Sequence, residues 1–328
     1  MLAFLGAYTV SEAVDPINRS LRVRLGMLQE RRETIEAIAV GNSHGGMLDF
    51  GEMGLDGLHF TSASQDVFEA SFLARHALSA ASRLEYVMFT ASYGFVHKDN
   101  AVAGSLDLRG RRRRVYAMLP FERPIPGDLS LWIHGILAPV VRDDHWSGVL
   151  RGALFPAPPS TYESDGRGAE RQGPPPGADS LARYGARIGA ADTRLGQEMV
   201  SLAPGVPGRA GAALSSLAGD LAARDALLVL FTPPYHESYL RPQDPALNAE
   251  ARAVIEQVRA RNPNVLWFDY SADPRFAGNP ELFNNSDHLN VRGGKSFSRL
   301  LSECLEDTWQ GDPGGVVGGS CPLPRADP

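Results

Sequence analysis

Four short runs of this sequence are largely apolar at consecutive positions rather than at alternate ones: residues 37–40, 84–90, 226–232 and 265–270. A strand with one wet face alternates between polar and apolar side chains. A strand covered on both faces does not, so these runs read as parallel strands packed between layers of helix. A weaker run around Leu58, His59 and Phe60 adds a fifth strand. Helical stretches lie between the strands. One covers 66–82, where Val67, Phe68, Ser71, Phe72, Ala74 and Leu78 fall on one face; others cover 246–260 and 295–306. Strands alternating with helices predict an α/β domain around a doubly wound parallel sheet.

The chain has 328 residues, 43% of them hydrophobic, enough for one large core. The expected organisation is an N-terminal segment over 1–30, a domain over 31–310 with a loop-rich insertion around 107–180, and a disordered tail over 311–328. The apolar stretch from Leu2 to Val10 reads either as the remnant of a membrane anchor or signal, or as an ordinary apolar helix turn. The first reading leaves a membrane tether open and favours the cell envelope over the cytoplasm. Residues 156–180, with Pro174, Pro175 and Pro176, read as a mobile spacer or a lid. The basic run of Arg109 and Arg111 to Arg114 reads as a solvated loop or hairpin edge. With a net charge of −6 the chain has no basic surface to suggest a nucleic-acid partner. Cys304 and Cys321 could pair but make no metal site. Asp143, Asp144 and His145, beside Arg142 and Trp146, match no metal-ligand spacing and read as packing of the insertion. No metal and no cofactor is expected.

Two motifs carry chemistry. Gly41-Asn42-Ser43-His44-Gly45 follows the first strand directly. A tight turn there places Ser43 at the carboxyl edge of the sheet, where open α/β sheets bind ligands, with backbone N–H groups close by. The competing reading is a tight turn or helix cap. The second motif, Ser286-Asp287-His288-Leu289-Asn290, follows the fifth strand. Its loop opens on the same edge, so His288 is positioned to take a proton from Ser43. The spacing of the first motif also matches the Gly-x-Ser-x-Gly elbow of α/β-hydrolases. That elbow sits after several strands, whereas here only one precedes Ser43.

Together the two motifs resemble the SGNH (GDSL-type) hydrolases, whose first block is Gly-Asp-Ser and whose last is Asp-x-x-His. Here the blocks read Gly41-Asn42-Ser43 and Asn285-Ser286-Asp287-His288, and the resemblance spans residues 36–303 in order. It implies a three-layer, flavodoxin-like α/β/α fold and hydrolysis of ester-linked acyl groups, without a cofactor, on an acylated small molecule, carbohydrate or lipid. It also implies an oxyanion hole from the N–H groups of Ser43 and Gly94, with substrate contacts at Asn42, His44, Tyr235 and His236.

The sequence departs from that pattern in two places. The family acid is replaced by Asn285, which can accept a hydrogen bond but carries no charge. Asp287 and Asp269 are the substitutes, Asp287 having a competing role as a turn cap. The asparagine expected after the fourth strand is missing from Thr232-Pro233-Pro234-Tyr235-His236, and Asn100 is the replacement donor considered. Two other functions fit the same residues: an O-acyltransferase acting on a cell-envelope polysaccharide, and a non-catalytic binding or assembly protein that kept the fold and lost the acid.

Overall fold

The computed structural model describes residues 16–92, 94–103, 106–119, 121–141 and 176–310. At its centre lies a five-stranded sheet in the order β2-β1-β3-β4-β5, every pairing parallel. The strands are β1 (Ala37–Val40), β2 (Gly57–His59), β3 (Tyr86–Thr90), β4 (Leu227–Thr232) and β5 (Val265–Asp269). Each lies within one or two residues of its expected place, because consecutive apolar positions mark a strand buried on both faces.

The two faces of the sheet feed separate cores. Ile38, Val40, Val87, Phe89, Leu228 and Leu230 join one core, with α2 (Val67–Ala80), α6 (Val206–Ala222) and α8 (Pro245–Arg261). Ala37, Ala39, Met88, Val229, Phe231 and Phe268 join the other, with α10 (Val291–Gln310). Helices therefore flank the sheet on both sides, an arrangement compatible with three α/β/α layers. Helix starts follow local chemistry. Asp66 caps α2 in a reciprocal box with Glu69, and Asp244 caps α8 just before Pro245. The remaining helices are α1 (Pro16–Glu30), α3 (Leu106–Met118), α4 (Leu129–Val141), α5 (Ala178–Leu202), α7 (Glu237–Leu240) and α9 (Pro274–Ala277).

The insertion departs from the sequence reading. Its described part is not loop-rich but a pair of packed helices, α3 and α4. The basic run lies inside α3, and Arg112 is only 1% exposed. Its guanidinium reaches Asp66 at 2.6 Å, Asp128 at 2.8 Å, Asp99 at 3.0 Å and Glu69 at 3.4 Å. Helical periodicity is the reason: Arg112, Val115 and Tyr116 share the buried face of α3, and buried Leu119 continues it just past the helix end. The expected loop over 156–180 ends inside α5. Residues 1–15, 142–146, 156–175 and 311–328, with the anchor, metal, lid and tail readings they carry, lie outside the described residues. Among the described residues no helix is long and apolar enough to cross a membrane.

Candidate active site

The order of the sheet puts a switch point between β1 and β3, and the carboxyl edge at such a point is where open α/β sheets bind ligands. The chain leaves β1 through Gly41 at φ 108°, a conformation that disfavours any residue with a Cβ. A side chain at Gly41 would also meet Thr90 Cβ at 2.9 Å, and one at Gly45 would meet Thr90 Oγ1 at 1.9 Å. The motif's two glycines thus let the turn lie flat against β3. Ser43 opens a 3-10 turn (Ser43–Met47), capped by the Asn42 side chain, which accepts the His44 N–H at 3.2 Å.

His288 arrives on a two-stranded antiparallel ribbon, β6 (Phe283–Asn285) and β7 (His288–Leu289). Asn285 pairs with His288 across the ribbon, and Ser286 and Asp287 form its turn. The turn is pinned from two sides. The Ser286 hydroxyl donates to Leu181 O at 2.6 Å, and the His236 N–H donates to Ser286 O at 3.0 Å. On the other flank, α10 presses onto the Ser43 turn, where a Cβ at Gly294 would lie 2.5 Å from Met47 O.

These two supports bring His288 Nε2 to 3.0 Å from Ser43 Oγ, across 245 positions of sequence. The other ring nitrogen, Nδ1, lies 3.1 Å from Asn285 Oδ1 and 3.3 Å from Asp287 Oδ2. The same Asp287 oxygen lies 3.1 Å from Nε2 of His44. His44 Nδ1 in turn lies 3.4 Å from the Tyr235 hydroxyl. A carboxylate only accepts, so the network assigns the tautomers. His44 carries its proton on Nε2 and His288 on Nδ1, both facing Asp287. His288 Nε2 is left free to accept from Ser43.

The electrostatics agree with that assignment. Burial alone would raise the Asp287 pKa, but hydrogen bonds from His288 and His44 outweigh it and hold the carboxyl well below its usual range. Burial pushes His44 below the ordinary histidine value despite Asp287, so its ring is neutral at pH 7. Asp287 is therefore a charged acceptor shared by two imidazoles. Its second oxygen, Oδ1, is buried without a partner. Among the described residues, His44, Asp287 and His288 also form a group able to hold a metal ion, their donor atoms lying within 4.8 Å of one another.

No protein-family model matches this chain, and no curated protein matches it. The remaining candidates must be judged by position. Gly94, in the left-handed region at φ 64°, starts a 3-10 turn after β3. Asn42 Nδ2 hydrogen-bonds Ser92 Oγ, which ties the loop after β1 to the loop after β3. The N–H groups of Ser43 and Gly94 have no hydrogen-bond acceptor among the described residues.

Asn100 is not an available oxyanion donor. Its two amide protons go to Ser64 O at 3.1 Å and Glu69 Oε2 at 3.0 Å, and its N–H goes to Asp66 at 2.6 Å. Asp269 is not the acid; it pairs with Arg252 and takes the Ser271 N–H at 3.0 Å. His236 is buried and caps α7 through Ser238, so its ring serves the loop rather than a ligand. Asn42, His44 and Tyr235 are likewise buried, with their polar atoms engaged inside the protein. The sequence reading missed α5 as a wall of the site. Gly185 and Gly189 let it approach so closely that a Cβ would sit 2.2 Å from Ser238 Oγ or 2.3 Å from Tyr239 O. Its Asp192 accepts from the Tyr239 hydroxyl at 2.6 Å. A Gly-x-x-x-Gly spacing was the available signal.

Proposed function

We propose that the protein is a serine ester hydrolase of the SGNH type, with Ser43 as nucleophile, His288 as general base and acid, and Asp287 as the charged partner of the imidazole. What carries the reading is the 3.0 Å approach of His288 Nε2 to Ser43 Oγ while Nδ1 faces Asn285 and Asp287. As Oγ attacks the ester carbonyl carbon, its proton passes to Nε2. The imidazolium so formed is stabilised by Asp287. The negative carbonyl oxygen is held by the Ser43 and Gly94 N–H groups. Collapse of that intermediate expels the alcohol, which leaves with the proton from Nε2. Water then repeats the sequence on the acyl-serine and releases the acid. The departure at Asn285 leaves this chemistry intact, since the charge is supplied two residues later.

A cleft lies beyond the carboxyl ends of β3, β4 and β5, with Phe95, Ile255 and Trp267 as its apolar floor and Ser92 and Thr232 on its polar side. Arg252 and Asp269 also line it; Ser43 and His288 do not, and its link to them is Ser92, which contacts Asn42. The test is direct. A fluorophosphonate probe should label wild-type protein and not Ser43→Ala. Turnover of p-nitrophenyl acetate should fall on the order of 10⁴- to 10⁶-fold in the variant. A Ser43→Ala protein as active as wild type would end this reading.

A further inference from the structure

We infer that His44, Asp287 and His288 form an inhibitory site for a zinc-class divalent cation. The binding follows from their geometry alone; the inhibition rests on the hydrolase reading above. The donor set is two imidazoles and a carboxylate, the mixture that borderline-soft cations such as zinc take in preference to magnesium. A tetrahedral ion about 2.0–2.1 Å from each ligand needs neighbouring donors about 3.3 Å apart. Asp287 Oδ2 lies 3.1 Å from His44 Nε2 and 3.3 Å from His288 Nδ1, and the three donor atoms all lie within 4.8 Å of one another, so the two rings close inward on the ion as it binds. The buried, unpartnered Oδ1 of Asp287 is a second, independent sign that this carboxylate has unused acceptor capacity. Entry is from the His288 side, where that side chain is 27% exposed.

Binding inhibits through the tautomers, with no net release of protons. The cation takes the nitrogens that face Asp287, and each ring proton moves to the far nitrogen. On His44 that is Nδ1, where the Tyr235 oxygen accepts it. On His288 it is Nε2, where the Ser43 oxygen accepts it. Ser43 then receives a hydrogen bond from the group that should remove its own proton, and the nucleophile is silenced.

The experiment titrates zinc into wild type, Ser43→Ala, His44→Gln and His134→Gln, using a competing chromophoric chelator. Fluorophosphonate labelling is followed in parallel. One equivalent should bind wild type and Ser43→Ala alike, His44→Gln should bind at least about 100-fold more weakly, since losing a ligand costs more than losing an outer-shell partner, and magnesium should not compete. His134, exposed on α4, is the control and should behave as wild type. Unchanged zinc affinity in His44→Gln would overturn the assignment. So would full labelling of Ser43 in the presence of millimolar zinc. Zinc binding that depends on His44 in a protein whose Ser43 never labels would uphold the cation site and remove the hydrolase reading instead.

Discussion

Arg112 and Asp287 each sit at the centre of a buried charged cluster, and the two clusters are mirror images. Around Arg112 one cation gathers four acidic side chains, Asp66, Glu69, Asp99 and Asp128. Around Asp287 one carboxylate gathers two imidazoles. Both clusters perturb ionisation strongly: Glu69 is pushed up to about 8 by burial and then by Asp66, and Asp287 is held low. Burial and shifted ionisation therefore do not by themselves mark a reactive site in this protein. The difference lies in access. Arg112 is sealed at 1% exposure beside the Phe68 ring, its partners tying α3 to the start of α2, to the loop after β3 and to the start of α4. The Asp287 cluster ends in a half-buried imidazole with a free lone pair aimed at a hydroxyl.

The two clusters should therefore fail differently. Asp287→Asn keeps the shape and removes the charge, so kcat should fall on the order of 10⁴-fold. Its urea midpoint should move less than that of any Arg112 variant. Steady-state kinetics and denaturation on the same preparation decide this, and a variant that unfolds before it loses turnover would erase the distinction. Arg112→Met should do the reverse. It removes the guanidinium from Asp66, Asp99 and Asp128, of which Asp99 keeps Arg209 at 2.8 Å, a loss of about 3–5 kcal/mol of stability. Whatever fraction stays folded should retain its specific activity, read by active-site labelling against circular dichroism.

The clusters should also carry opposite pH slopes. Glu69 ordinarily titrates near 4.5 and in the fold near 8. Between those values the folded protein keeps a proton that the unfolded chain has lost, so its contribution is complete at low pH and disappears as pH rises through that window. His44 is shifted the other way, below 6.5. Its contribution is complete above 6.5 and is lost as pH falls, and that of Asp287 is also lost on acidification. The stability difference between wild type and Glu69→Gln, from urea midpoints across pH 5 to 9, should therefore move against Glu69's native form as pH rises. A flat difference would mean that Glu69 is charged in the fold.

The two regions were unequally legible in the sequence. The five strands were readable because a run apolar on both faces has few alternatives. Ser43 and His288 followed from the strand ends that precede them. Arg112 was misread because its charge was counted while its position was not; at three, four and seven residues on, Val115, Tyr116 and Leu119 mark the buried face. Helix α5 escaped notice because much of its buried face is glycine, at Gly185, Gly189 and Gly196. Gly185 and Gly189 read as breakers in sequence yet are what lets α5 close on α7. The pairing of His44 with Asp287 spans 243 positions and has no local signature at all. Nor could sequence choose between Asn285 and Asp287, since that depends on how a two-residue turn directs its side chains.

The smallest effect tests that choice. Asn285 Oδ1 meets His288 Nδ1 at 3.1 Å but also takes the Asp287 N–H at 3.2 Å, so it helps set the turn as well as the ring. A neutral hydrogen bond of this kind contributes about 1 kcal/mol, so Asn285→Ala should lower kcat roughly fivefold with KM little changed. Asn285→Asp should gain little, because a second carboxylate beside Asp287 adds repulsion as well as charge. A loss in Asn285→Ala as large as that in Asp287→Asn would make the amide the true orienting group. The Asp287 cluster would then resemble the Arg112 cluster after all, as a charge buried for the sake of the fold.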